Sequence, residues 1–313
     1  MSSSSLSLAN IRNWPSSRQL RGHRDKIFSL DWSCDGKRLA SGSADKTLRI
    51  WTPERTDFNK STELKGHTGG VDQLRWDPTN PERLVTASTD STVRFWDIRQ
   101  GKATQVVQTP GQNINMSISP DGKYVVIGDR RDVITFIDAS TGKVIEEMSN
   151  RPLAPRGIEI NEFKFSNSGD FLFILLGDGT IRTYEVPSLE LYHRVVAHPA
   201  PCFCVDVDPR GRYIAVGSTD AIVSLWDLKD WYCARTFTKL DSPVRSVGFS
   251  ADGEILASGG EDLSIDLSHV ETGKHLHSIP TNAPCNSLSW HPTRSILAYA
   301  CDEPYGIVRL FGL

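Results

Sequence analysis

Thr92-Val93-Arg94-Phe95-Trp96-Asp97 is an alternating run that closes on an aromatic–acid pair, and eroded copies of it recur along the whole chain. The position of Trp96 is held in turn by Trp51, Trp96, Ile137, Tyr184, Trp226, Ser268 (beside Leu267) and Phe311, at spacings of 41 to 47 residues. A second series keeps step with it: Trp32, Trp76, Ile118, Phe165, Val207, Phe249 and Trp290. Most of its members lead into a turn, as in Ser33-Cys34-Asp35-Gly36, Ser119-Pro120-Asp121-Gly122 and Ser250-Ala251-Asp252-Gly253. Both series count seven. Strand-like alternation at this period, punctuated by tight turns, is what a ring of four-stranded sheets requires. The expected fold is all-β, a seven-bladed β-propeller.

Within a repeat the strands follow from the alternation. Residues 26–32, 38–43 and 47–51 form one set, and residues 203–207, 213–218 and 222–226 another. Repeat two matches with residues 71–76, 84–88 and 92–96, and Pro78-Thr79-Asn80-Pro81 is expected to lengthen its first turn. The last repeat stops after its third strand, at Val308-Arg309-Leu310-Phe311. Residues 16–21, ahead of the first repeat, are expected to supply the missing outer strand and close the ring, which removes its open edges. Residues 1–15, rich in Ser, read as a flexible arm. Residues 16–313 read as a single propeller domain.

The bulk composition excludes several function classes. A net charge of −3 gives no global electrostatic case for nucleic acid. No apolar run approaches a membrane span, and the start lacks the pattern of a secretory signal. The six cysteines, Cys34, Cys202, Cys204, Cys233, Cys285 and Cys301, show no C-x-x-C spacing and read as reduced thiols in separate repeats. Cys202 and Cys204, two apart, are expected to share one strand face as packing residues.

Three repeats carry a histidine 28 or 29 residues before the aromatic: His23 to Trp51, His67 to Trp96, and His198 to Trp226. Asp45, Asp90 and Asp220 lie in the tight turns of the same repeats. An imidazole can bond the turn carboxylate on one side and a strand hydroxyl, then an indole N–H, on the other. Ser41 or Ser43, Thr86 or Ser88, and Ser218 are the candidate hydroxyls. Three copies at repeat spacing point to structural sets, not to a catalytic triad. No phosphate-cradling Gly loop, H-E-x-x-H or nucleophile elbow occurs. His275-x-His277 would face one way on a strand, but further ligands at suitable spacing are missing. No catalytic residue, cofactor or metal is therefore expected, and function should reside in binding at the rims.

The positions six and four residues before the second series are expected to line the mouth of the central channel. They give the candidate contact set Lys26, Phe28, Asp72, Gln112, Glu159, Asn161, Phe203, Arg245 and Asn286. Its mixture of charge, amide and aromatic side chains suits a protein partner better than a polyanion. Repeats three, four, six and seven are degraded, and the segments 151–157 and 302–306 are expected to protrude as variable loops.

The whole chain resembles the WD-repeat propellers. More specifically it resembles the family that forms subunit 3 of the THO complex. The residues that carry this are the run Gly66-His67-Thr68-Gly69-Gly70-Val71-Asp72-Gln73-Leu74, then Asp132-Val133-Ile134-Thr135-Phe136-Ile137-Asp138, Val223-Ser224-Leu225-Trp226-Asp227, Ser264-Ile265-Asp266 and the tail Val308-Arg309-Leu310-Phe311-Gly312. Residues 237–245 also fit, apart from Ser242, where an aromatic is expected before Pro243. The resemblance implies a non-catalytic nuclear scaffold subunit that couples transcription to mRNP assembly and mRNA export. It further implies docking on large helical THO subunits, with a DEAD-box helicase and an mRNA export adaptor associated indirectly, and weak or no direct RNA contact. An alternative reading rests on Asp90, Trp96-Asp97 and Arg99, whose WD-x-R pattern resembles substrate receptors of cullin–RING ubiquitin ligases. Arg99 is the adaptor contact in that reading.

Overall fold

The structure, a computed structural model, describes residues 11, 18–54, 60–149 and 151–312. Its strands form seven antiparallel four-stranded sheets. Six of them use strands consecutive in sequence, and the innermost strands of neighbouring sheets pack side by side into a closed ring. The seventh sheet pairs strand Arg18–Arg21 with Ile307–Phe311, in the register Arg18↔Leu310 to Arg21↔Ile307. Leu20 from that first strand is fully buried. The fold and its closure are those expected from the repeat.

Both sequence series mark real register positions. Trp32 faces Leu39 and Leu39 faces Trp51 across one blade, and the same triple recurs as Trp76–Leu84–Trp96 and, in blade 6, as Phe249–Leu256–Ser268. Ser268 thus occupies the aromatic position despite its chemistry. The apolar core is divided among seven clusters, one at each seam between adjacent blades. Each seam thus carries its own share of the apolar burial that holds the ring closed.

The first connection of blade 2 is longer by one residue, as expected: Trp76 pairs with Leu84, eight residues on, whereas Trp32 pairs with Leu39, seven on. The extra residue is absorbed without a protruding loop, because the Asp77 carboxylate accepts hydrogen bonds from Thr79 N at 2.8 Å and Asn80 N at 3.1 Å and Asp77 pairs with Asn80. Other local expectations need correction. Leu153, in the segment expected to protrude, is 3 % exposed and packs in the seam between blades 3 and 4. Ile11, within the supposed flexible arm, is buried in the seam between blades 6 and 7. The rest of residues 1–15, and Ser16 and Ser17, lie outside the described residues.

Blade 3 shows how an eroded blade is finished. Its outer strand is only Lys143–Val144, followed by a helical turn at Glu146–Ser149. The Ser149 hydroxyl accepts from Phe136 N at 2.9 Å, so the strand edge is satisfied by a side chain where the ladder stops.

Candidate interaction surface

The seven inner strands share one irregularity. Each carries a β-bulge four residues before its series position, between Ile27 and Ser29, Val71 and Gln73, Asn113 and Asn115, Ile160 and Glu162, Cys202 and Cys204, Val244 and Ser246, and Cys285 and Ser287. A bulge leaves one residue unpaired and re-aims its side chain. The residues so released are Phe28, Asp72, Ile114, Asn161, Phe203, Arg245 and Asn286. Two residues earlier the main chain is pinned the same way in every blade. The carbonyls of Lys26, Gly70, Gln112, Glu159, Pro201, Pro243 and Pro284 each accept a backbone N–H from the next turn at 2.8–3.1 Å. A fixed backbone with freed side chains is a suitable platform for contact.

The structure brings some of this set together. The Arg245 guanidinium lies over the Phe203 ring, 4.5 Å from its centre, and pairs with Glu261. Lys26 Nζ reaches Asp302 of blade 7 at 2.7 Å, and Asn161 donates to Cys202 O of blade 5 at 2.9 Å. Gln112 and Glu159 stand exposed in separate turns. Burial pushes the Asp72 carboxyl up to about 6, against the opposing pull of Arg130.

Below this mouth lies a polar channel of about 280 Å³ that the sequence reading missed. Asp31, Arg75, Lys164 and Asp206 line it, each immediately before a series position. Asp31 Oδ2 accepts Trp76 N at 2.7 Å, Asp206 Oδ2 accepts Phe249 N at 2.9 Å, and Lys164 pairs with Asp206 at 2.9 Å. Burial raises the pKa of Asp31 and of Glu162, with Arg75 opposing both shifts. The signal was available, because a charged residue recurring immediately before a buried series position lies on the opposite face of the inner strand, toward the next blade's inner strand.

The histidine sets form compact locks. His23 Nδ1 lies 2.9 Å from Asp45, His23 Nε2 lies 2.8 Å from Ser41 Oγ, and Trp51 Nε1 donates to that oxygen at 2.9 Å. Blade 2 repeats this with His67, Asp90, Thr86 and Trp96 at 2.9, 2.8 and 2.9 Å. With a neutral imidazole the protons run one way, from indole to hydroxyl to histidine to carboxylate. Burial lowers the His67 pKa against the influence of Asp90. For Asp45 and Asp90, burial would raise the pKa. It is outweighed by hydrogen bonds, from His23 and Thr47 to the first and from Thr92 and Thr68 N to the second, so both carboxyls are held below the usual range.

Blade 5 uses a different hydroxyl from the one expected. His198 bonds Asp220 at 2.9 Å and Ser224 Oγ at 2.7 Å, and Trp226 donates to Ser224 at 2.8 Å. Ser218 instead makes a long 3.4 Å contact to Ala200 O. The reason is cross-strand pairing. Ser41 faces Arg49 and Thr86 faces Arg94, whereas Val216 faces Ser224. The hydroxyl has moved to the opposite member of one directly facing pair, where it reaches the same imidazole.

The remaining blades replace the lock piecemeal. Tyr184 donates its hydroxyl to Leu153 O at 2.5 Å. In blade 6 Asp266 accepts from Ser268 at 2.6 Å and lies 2.6 Å from His275 Nδ1. In this Ser–Asp–His group the carboxylate stands between hydroxyl and imidazole, so the histidine does not reach the hydroxyl and the order differs from that of a nucleophilic triad. His277 stacks on Phe311, 5.5 Å between ring centres, so His275 and His277 do not converge. Among the described residues no group of three or more His, Cys, Asp or Glu is placed to hold a metal ion.

The cysteine pattern also differs from expectation. Cys202 and Cys204 do not share a face, because the bulge at Phe203 sends them to the seams on either side of blade 5. Burial pushes the Cys202 thiol up to about 12. Cys285 and Cys301, expected in separate repeats, face each other across two strands of blade 7.

Arg99 is held by its neighbour. Its guanidinium donates to both oxygens of Asp97, at 3.3 and 3.1 Å, and this pairing leads the causes that set the Asp97 carboxyl at about 2. The Arg99 side chain nevertheless remains 70 % exposed.

Comparison with known proteins gives a consistent family. A family profile described as the THOC3 beta-propeller domain matches residues 23–300. The chain is 45 % identical to THO complex subunit 3 of Arabidopsis thaliana over 307 residues, 95 % of each protein. It is 32 % identical to WD repeat-containing protein AAC3 of Dictyostelium discoideum over 91 % of this chain and 63 % of that protein. It is also 29 % identical to pre-mRNA-processing factor 19 of Oryza sativa subsp. japonica, over 79 % of this chain and 48 % of that one.

Proposed function

Because the chain belongs to the THO complex subunit 3 β-propeller family, we propose that it acts as a non-catalytic scaffold subunit of a THO complex in the nucleus. In that role it helps couple transcription to mRNP assembly and mRNA export. The observation that carries the reading is the 45 % identity to the Arabidopsis THO subunit across 95 % of both proteins. The physical arrangement supports a scaffold role, since the buried histidines and aspartates of blades 1, 2 and 5 are engaged in holding strands together.

Docking falls on the channel mouth, where the bulges free Phe28, Phe203, Arg245 and Asn286 from their ladders. The partners are the large helical THO subunits, with a DEAD-box helicase and an export adaptor reached through them, and direct RNA contact is weak. Affinity purification from nuclear extract followed by mass spectrometry tests this. Helical THO subunits are expected, and recovery of a cullin adaptor alone would overturn the reading. Arg99→Asp is expected to leave the partner set unchanged.

A further inference from the structure

The residue just before the aromatic series fills the seam toward the following blade. Six blades place Ile50, Phe95, Phe136, Leu225, Leu267 and Leu310 there, all buried. Blade 4 has Thr183, whose small side chain leaves the seam with blade 5 underfilled. A slot of about 330 Å³ opens at that place, walled by Phe171, Phe173, Tyr192, Leu228 and Trp231. Thr183 borders the slot and is 1 % exposed, and its hydroxyl has no hydrogen-bond partner.

The surroundings of the slot are also unusual. Of the seven large apolar side chains that are exposed among the described residues, four lie on the outer edges of these two blades: Leu191, Tyr192, Val196 and Tyr232, at 50–62 % exposure. Tyr192 among them walls the slot itself, and the group marks the outer edges of blades 4 and 5 as an interaction surface. No charged side chain lines the slot, so a cationic or anionic anchor would be buried without a counter-charge. A purely aliphatic anchor would leave the Thr183 hydroxyl unpaired. A flat aromatic body fits the aromatic walls, and a hydroxyl at its tip satisfies Thr183.

We propose that this slot receives a tyrosine side chain from a partner protein, whose phenolic hydroxyl pairs with Thr183 at the floor. The contact lies away from the channel mouth, and it holds whichever assembly the chain joins. It adds a second, outer docking point to the propeller.

The test is a selection of short random peptides on the full-length protein, counter-selected against Thr183→Leu. That variant restores the bulk found in the other blades and should keep its melting temperature. Tyrosine is expected to be enriched, and the selected peptides should bind Thr183→Leu at least roughly tenfold more weakly. Changing that tyrosine to phenylalanine should weaken binding to the wild-type protein roughly two- to tenfold, the range of one hydrogen bond. The same change should make no difference on Thr183→Val, which is similar in shape but has no hydroxyl. Retained binding to Thr183→Leu, equal binding of the phenylalanine peptide to wild type, or no enrichment of tyrosine would each overturn the proposal.

Discussion

Asp90 and Asp72 belong to the same blade, yet their surroundings act on them in opposite directions. Asp90 sits in a tight turn, takes hydrogen bonds from Thr92, Thr68 N and His67, and is held below the ordinary carboxylate range. Asp72 sits on the bulge at the channel mouth, where burial pushes it up to about 6. The first carboxylate is matched to donors supplied by its own fold. The second is left without such matching, the condition expected where a group is kept for something outside the chain.

Removing His67 tests the matched side of this contrast most severely. His67→Ala leaves a void and takes a donor from a buried carboxylate, and it is expected to cost about 2–4 kcal/mol in urea denaturation. A loss below half a kcal/mol would mean the lock is ornamental. Blade 5 gives a sharper version, since Ser224→Ala should cost about 1–3 kcal/mol by stranding His198 and the Trp226 indole. Ser218→Ala, at the hydroxyl favoured from sequence, should cost below about 1 kcal/mol. The reverse ranking would restore the sequence-based assignment.

The mouth should respond with the opposite sign. Because the folded value of Asp72 lies above its ordinary 3.8, the folded protein binds the extra proton between about pH 4 and 6. The ionised group therefore costs stability above pH 6, and the cost fades as the pH falls toward 4. Asp72→Asn is expected to stabilise the protein by about 1–2 kcal/mol at pH 7 and by nothing near pH 4, in melting curves taken across that window. The locks behave conversely. Stability from Asp45 and Asp90 is present above 3.8 and lost as the pH falls through their depressed values.

The seven blades, the closure and the two register series were legible because they depend on period and burial, which a single chain displays directly. The locks of blades 1 and 2 were legible for the same reason, since His, Asp and Trp recur at fixed spacing. What was hidden depended on pairing across strands. Nothing local to Ser218 or Ser224 reveals which one faces the imidazole until Val216 is seen opposite Ser224. The bulges were hidden because an unpaired residue does not interrupt the alternation strongly enough to be read. Phe203 between two cysteines looked like an ordinary strand, and so Cys202 and Cys204 were assigned one face. The Thr183 slot was in principle readable from the aligned repeats, because only one blade has a small residue in that column.

The pairing of Arg18–Arg21 with Ile307–Phe311 also sets an order of events. During synthesis the first strand of the ring emerges long before its partner exists, and it must wait unpaired while six other blades are made. Blades 1 to 6 can each form from neighbouring strands as they appear, but the ring cannot close until residue 310 has left the ribosome. Contacts that span nearly the whole chain form slowly. The pairing of highest sequence separation in the sheets, Arg18–Arg21 with residues 307–310, is therefore also the one that must form after all the blades between them have been made.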